Sequence, residues 1–230
     1  MLISHDKRFL FIHIPKTAGT SITNSLAPYA DRPELLWENR LLAGLRIHVN
    51  HIGPWKRRRF RGHCSANDVC RHLPLEVYRQ LFKFAFVRNP WDLLVSLYKF
   101  IPSRPNHRYQ KRVAQMTFAE FVDVWTLRPE IHQASRITDT HGNCLVDFVG
   151  YFESVSDDFT TVCNRIGIAP PPLRRDNCSR RSDYREAYDD RLRQLVAERL
   201  AQDIQFFGYE YDGPSAERRQ QLQLCQREAA

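Results

Sequence analysis

The chain has 230 residues, 43% of them apolar and 12% aromatic, which suits one sizeable globular core and excludes a disordered or low-complexity chain. Its 34 Lys and Arg against 26 Asp and Glu leave a formal charge of +8. That favours polyanionic partners, whether a nucleotide cofactor, an acidic glycan, a nucleic acid or an anionic surface. Cys64, Cys70, Cys144, Cys163, Cys178 and Cys225 are scattered without a Cys-x-x-Cys pair, so neither a disulfide framework nor a structural zinc site is indicated, and they read as reduced thiols of a cytoplasmic protein. Residues 1–8 carry charge without an apolar stretch, and no run reaches the length of a membrane-spanning helix.

Residues 9–14 form an apolar run without polar alternation, the pattern of a strand buried on both faces in a parallel sheet. The loop Pro15-Lys16-Thr17-Ala18-Gly19-Thr20-Ser21 follows, and Ile22 and Leu26 imply a helix that Thr20 or Ser21 would cap. First-turn N–H groups beside the Lys16 ammonium would make an anion cradle. It is not a Walker A loop: it holds a single glycine, Lys16 precedes that glycine, and no hydroxyl is obviously placed for Mg²⁺. On this stretch alone, phosphate or sulfate binding and a plain strand-to-helix turn both remain open.

Pro28 and Pro33 break the pattern, and residues 35–45 suggest a short irregular helix. Residues 55–61 are densely basic, either a solvated loop or a patch that attracts an acidic polymer. Ser65 and Asp68 then form a capping-box pattern, so a helix starts at Ser65 with His63 just ahead of it. Residues 82–87 are again strand-like, Arg88 falls at their carboxyl end, Asn89 is a strong cap and Pro90 suits the first helical position. Trp91, Leu94, Val95 and Tyr98 recur at helical spacing. This second strand, turn and helix would bring a guanidinium, whose planar fork suits a phosphate dianion, to the edge that carries the first loop.

Residues 102–112 are polar and basic, a loop suited to face an acceptor with His107 and Tyr109 in it. Thr117 and Glu120 cap a helix whose Phe118, Phe121, Val122 and Trp125 read as core, ended by Arg128-Pro129. Residues 145–153 suggest a third parallel strand; Asp147 lies inside it, not at its end, and reads as structural and not as a Walker B acid. A helix through Phe159, Val162, Cys163 and Ile166 stops at Gly167 and Pro170 to Pro172. Residues 174–185 are a second basic stretch, and residues 189–207 the clearest helix, read as scaffold. The expected organisation is one domain over residues 1–211 and a polar, flexible tail over 212–230.

Pro15-Lys16-Thr17-Ala18-Gly19-Thr20-Ser21 resembles the 5′-phosphosulfate loop of sulfotransferases that use 3′-phosphoadenosine-5′-phosphosulfate (PAPS), in the carbohydrate group that includes the heparan 2-O-sulfotransferases and many bacterial relatives. Arg88-Asn89-Pro90 with Ser96 eight residues on resembles that family's 3′-phosphate motif, and Gly62-His63-Cys64-Ser65 its segment with a general-base histidine. The likeness spans about residues 8–211. It implies an α/β, P-loop-like three-layer fold with a central parallel sheet flanked by helices. It also implies a cofactor held by Pro15 to Ser21, Arg88 and Ser96, with Arg180, Ser182 and Arg185 as further 3′-phosphate candidates, and catalysis by Lys16 and His63. Where the heparan enzymes carry a second histidine, this chain has Arg61.

The resemblance further implies a saccharide or glycolipid acceptor, possibly an acidic one, with no nucleic acid and no metal, in a soluble cytoplasmic enzyme of bacterial type or a trimmed chain. Two other classes stay in play. A P-loop kinase or NTPase would demand metal, whereas a basic polyanion-binding module would act through residues 56–61 and 174–185 and has no need of Lys16, Arg88 and Ser96. The sulfotransferase reading requires Lys16 and Arg88 to face one another across a single nucleotide.

Overall fold

The structure is a computed structural model that describes residues 1–31, 63–173, 183–217 and 219. The expected helix at 35–45, the basic run at 55–61, Arg180, Ser182 and the end of the tail lie outside the described residues. In chain order the strands are β1 (Leu2–Ser4), β2 (Phe9–Ile12), β3 (Phe82–Val87), β4 (Phe148–Tyr151), β5 (Tyr209–Glu210) and β6 (Gly213–Pro214). The described α-helices are α1 (Gly19–Leu26), α2 (Ala66–Cys70), α3 (Leu75–Gln80), α4 (Pro90–Phe100), α5 (Gln110–Val113), α6 (Phe118–Trp125), α7 (Val155–Arg165), α8 (Asp190–Arg199) and α9 (Ala201–Phe207).

The main sheet runs β1-β2-β3-β4, with β2, β3 and β4 parallel and β1 antiparallel on the edge. Register sets Phe9 opposite Phe82, Phe11 opposite Phe84 and Phe84 opposite Phe148, so one face is a layer of phenylalanines. Phe11 and Phe84 stack with centroids 5.2 Å apart. This face packs on Ile22 and Leu26 of α1 and on Phe159, Val162 and Cys163 of α7. The opposite face presents Leu10, Ile12, Ala85, Val87 and Val149 to α2, α3 and α9. Helices on both faces of a mostly parallel sheet are the three layers expected. A separate aromatic cluster joins α4, α6 and α8 beside the sheet, where the rings of Phe121 and Trp125 stack at 4.5 Å.

Departures from the sequence reading have local causes. The edge strand β1 was not expected, because three residues beside a charged turn carry no usable periodicity. The third strand is shorter than residues 145–153: Cys144 and Leu145 pair back with Thr138 and Ile137, and Phe152 already turns into a 3₁₀ turn. Asp147 accepts the Lys83 main-chain N–H at 2.7 Å and its ammonium at 2.8 Å, a structural pairing. The long helix over 189–207 divides at Leu200, and α9 buries Asp203, which accepts the N–H groups of Gln133 and Ala134. Gly150 lies opposite Phe86, whose ring occupies the place where a Cβ would stand, 2.5 Å away. The expected tail begins with β6 paired to β5, and Arg219 donates to Asp158.

Candidate active site

The loop after β2 is made by backbone conformation. Lys16 (φ 67°) and Ala18 (φ 63°) are left-handed while Thr17 between them is not, an alternation of hand of the kind from which backbone anion-binding concavities are built. The helix starts at Gly19 with Ala18 as its cap residue and no side-chain cap, which corrects the expectation of Thr20 or Ser21: the left-handed Ala18 starts the helix two or three residues early. Its first-turn N–H groups therefore have neither an intrahelical acceptor nor a capping side chain. Thr17 is fully buried, and its hydroxyl donates to the Ile14 carbonyl at 2.9 Å, tying the loop back to Ile14 just beyond β2. The Lys16 ammonium stands 3.8 Å over the Phe100 ring at the end of α4.

The turn after β3 is made by side chains. The Asn89 carboxamide oxygen accepts the Trp91 and Asp92 N–H groups and so caps α4 as expected. Arg88 is only 3% exposed; its Nε and Nη2 donate to the two carboxylate oxygens of Asp92 at 2.8 and 2.7 Å, and its guanidinium lies 4.2 Å over the Phe152 ring. Its Nη1 donates to the Lys16 carbonyl at 3.1 Å. Both main-chain groups of Arg88 are held by the Gln133 carboxamide, at 2.9 and 2.7 Å. Loop and turn are thus joined by a direct bond between the two residues that the sequence singled out. Ser96 and Phe100 follow Asp92 at four-residue steps, on the stripe of α4 that runs past Lys16.

His63 precedes the α2 capping box, which Ser65 and Asp68 form as expected. Its Nδ1 is 3.2 Å from the carbonyl oxygen of His13, and its ring meets the His13 ring edge-on at 4.7 Å. A carbonyl only accepts, so Nδ1 carries the proton in this bond, and in the neutral ring the lone pair is on Nε2. Burial of the imidazole lowers its pKa, the bond to the His13 carbonyl opposes this, and the Arg136 charge adds to the lowering. His13 is held down to about 3 by its own burial and is neutral. Its ring lies where a Gly19 Cβ would be, 2.0 Å away, so the glycine is what lets α1 approach this histidine pair. The neighbouring Cys64 thiol is buried and pushed up to about 11, which removes it as a nucleophile near neutral pH.

Arg185, offered as a phosphate ligand, is engaged elsewhere: Asp212 at 2.6 Å and Asp183 at 2.8 Å hold its guanidinium. His107 and Tyr109 lie in the segment between α4 and α5, their rings 5.9 Å apart. Sequence reasoning did not single out His13, Asp92, Gln133 or Arg136. Asp92 was within reach, since a carboxylate four residues after an arginine shares its helix face. Gln133 and Arg136 carry no local signal. Among the described residues no group of three or more His, Cys, Asp or Glu is placed to hold a metal ion, and no helix is long and apolar enough to cross a membrane.

A mostly parallel α/β sheet with a left-handed turn at the carboxyl end of one strand and a buried arginine at the end of the next has the edge at which open α/β sheets bind their ligands. The family comparison is specific: a model described as "Sulfotransferase family" matches residues 1–210, and the chain belongs to that family. It is therefore a sulfotransferase, and the expectation of a PAPS-dependent enzyme stands. The chain is also 30% identical over 105 residues to an uncharacterized protein of Archaeoglobus fulgidus, covering 45% of this chain and 82% of that protein. Among solved structures it is similar in fold to mouse sulfotransferase SULT7A1 complexed with PAP, with a TM-score of 0.53 and 14% identity over 100% of this chain and 91% of the mouse chain.

Proposed function

We propose that the chain transfers the sulfuryl group of PAPS to a hydroxyl of a carbohydrate acceptor, a glycan or glycolipid, with His63 as general base. The observation that carries this reading is the Arg88 Nη1 bond to the Lys16 carbonyl, which keeps both cofactor motifs at one sheet edge, with His63 bonded to His13 at the end of the same strand. Pro15 to Ser21 would cradle the 5′-phosphosulfate, and Arg88 and Ser96 the 3′-phosphate. The terminal guanidinium nitrogens of Arg88 keep N–H capacity beyond the bonds to Asp92 and Lys16. Arg180 and Ser182 stay candidates for that pocket, whereas Arg185 would first have to leave its aspartates.

In the reaction, His63 Nε2 takes the acceptor proton as the hydroxyl oxygen attacks sulfur in line. The bond from sulfur to the bridging oxygen breaks, and the negative charge growing on that oxygen is stabilised by the Lys16 ammonium and the loop N–H groups. To do so, Lys16 leaves the Phe100 ring for the bridging oxygen. Proton removal by a placed imidazole contributes about 10²- to 10⁴-fold. The transferred group carries less charge than a phosphoryl group, so no metal is required of these residues. Free thiols at Cys64, Cys70, Cys144 and Cys163 support a reducing compartment such as a bacterial cytoplasm.

The test is ligand-dependent thermal stabilisation. 3′,5′-Adenosine bisphosphate raises the melting midpoint saturably and ATP with Mg²⁺ does not; the reverse result would make the chain a kinase. Labelled PAPS with a saccharide panel then identifies the acceptor, and His63→Ala lowers turnover about 10²- to 10⁴-fold while adenosine bisphosphate still binds. Unchanged turnover in that variant removes the base assignment and leaves the donor site standing.

A further inference from the structure

Gln133 does at Arg88 what a further strand would do. The strand β3 ends at Val87, whose ladder partner is Tyr151, so the main-chain groups of Arg88 fall beyond the ladder. Arg88 is 3% exposed, and main-chain groups buried with it need partners. A carboxamide both accepts and donates: the Gln133 Oε1 takes the Arg88 N–H at 2.9 Å, and its Nε2 gives a hydrogen to the Arg88 carbonyl at 2.7 Å. Gln133 is 1% exposed and is itself held from α9. There Asp203, equally buried, accepts the Gln133 N–H at 2.7 Å and the Ala134 N–H at 3.0 Å. The Asp92 clamp on Arg88 is different in kind, because it joins residues four apart in one turn and moves with that turn. Among the described residues, the hydrogen bonds that fix Arg88 against other segments are the Gln133 pair and the Nη1 bond to the Lys16 carbonyl.

We propose that Gln133 is a positioning residue for the donor: it sets where the Arg88 guanidinium stands relative to the loop after β2, so that one nucleotide is held at its 3′-phosphate and its 5′ end together. The inference rests on the sulfotransferase reading above and adds to it a residue, outside both cofactor motifs, that selects a 3′-phosphorylated nucleotide. Gln133 acts through Arg88 and not on the ligand. A misplaced guanidinium loses its aligned bonds to the 3′-phosphate, while the loop that receives the 5′ end is untouched.

The experiment measures, at a single mildly acidic pH, the binding of 3′,5′-adenosine bisphosphate and of adenosine 5′-phosphate, which differ only in the 3′-phosphate. The proteins are wild type, Gln133→Asn and Gln133→Glu. The shorter side chain of Gln133→Asn cannot span both main-chain groups of Arg88, whereas the carboxyl of Gln133→Glu, kept protonated by burial, accepts and donates in the same two places. Wild type is expected to prefer the bisphosphate. Gln133→Asn should lose about tenfold or more of that preference at unchanged affinity for the monophosphate, and Gln133→Glu should recover part of it. An equal loss for both nucleotides in Gln133→Asn, or no recovery in Gln133→Glu, overturns the proposal in favour of a purely structural glutamine. If wild type prefers the bisphosphate and Gln133→Asn prefers it as strongly, only this inference falls; if wild type binds the two nucleotides alike or binds neither, the donor reading falls with it.

Discussion

The two turns at the carboxyl edge of the sheet lie side by side and are built by opposite means. After β2, shape comes from the main chain, with Lys16 and Ala18 in left-handed conformations that cost of order 1 kcal/mol each and no side-chain cap on α1. After β3, shape comes from saturation: Arg88 is clamped by Asp92 and Gln133, and Asn89 caps α4 while its own N–H and amide reach Glu153, Glu210 and Tyr211. The first turn leaves the first-turn N–H groups of α1 without a side-chain cap, and the second is largely satisfied by its own side chains. Chemistry that must favour a fleeting charge suits the first kind; recognition of a charge that never changes suits the second.

The contrast predicts different failures. The largest effect is expected at the strained loop: Lys16→Ala lowers turnover about 10²- to 10³-fold with the melting midpoint unchanged, measured by labelled sulfate transfer beside a thermal melt. A large loss of stability there would mean that both turns are structural. Next, Asp92→Ala leaves the buried Arg88 guanidinium without its carboxylate and costs roughly 3 kcal/mol of folding stability in denaturant titration, with weaker adenosine bisphosphate binding as Lys16 loses its brace. If stability holds and only turnover drops, the division between the turns is wrong.

The smallest effect is a displaced pH limb. Because His63 must be neutral to accept a proton and its pKa lies below the ordinary 6.5, kcat/KM should stay level as pH falls past 6.5 and decline only at the lowered value. Relieving the desolvation with His13→Ala should move that limb up toward 6.5. An unmoved limb would separate His63 from His13.

How far the sequence carries is shown residue by residue. Phe9 to Ile12, Phe82 to Val87, the Asn89 and Ser65 caps and the loop wording were legible because each is decided within a few neighbours, by burial on both faces or by an adjacent N–H group. The cap of α1 was misread because a left-handed Ala18 has no sequence signature, whereas a serine or threonine does. The pairing of His63 with His13 was out of reach: fifty residues separate them, and neither neighbourhood refers to the other.

The sequence by itself therefore determined the two central strands, the two turn motifs and, through them, the sulfotransferase family. Only the tertiary structure decided that the Lys16 carbonyl meets Arg88, that the His13 carbonyl fixes which nitrogen of His63 carries the lone pair, and that Arg136 reaches the His63 carbonyl. The physical reason is range. Hydrophobic period and capping act between near neighbours, while these contacts exist only once strand register and the parallel crossovers have brought distant segments to one edge of the sheet.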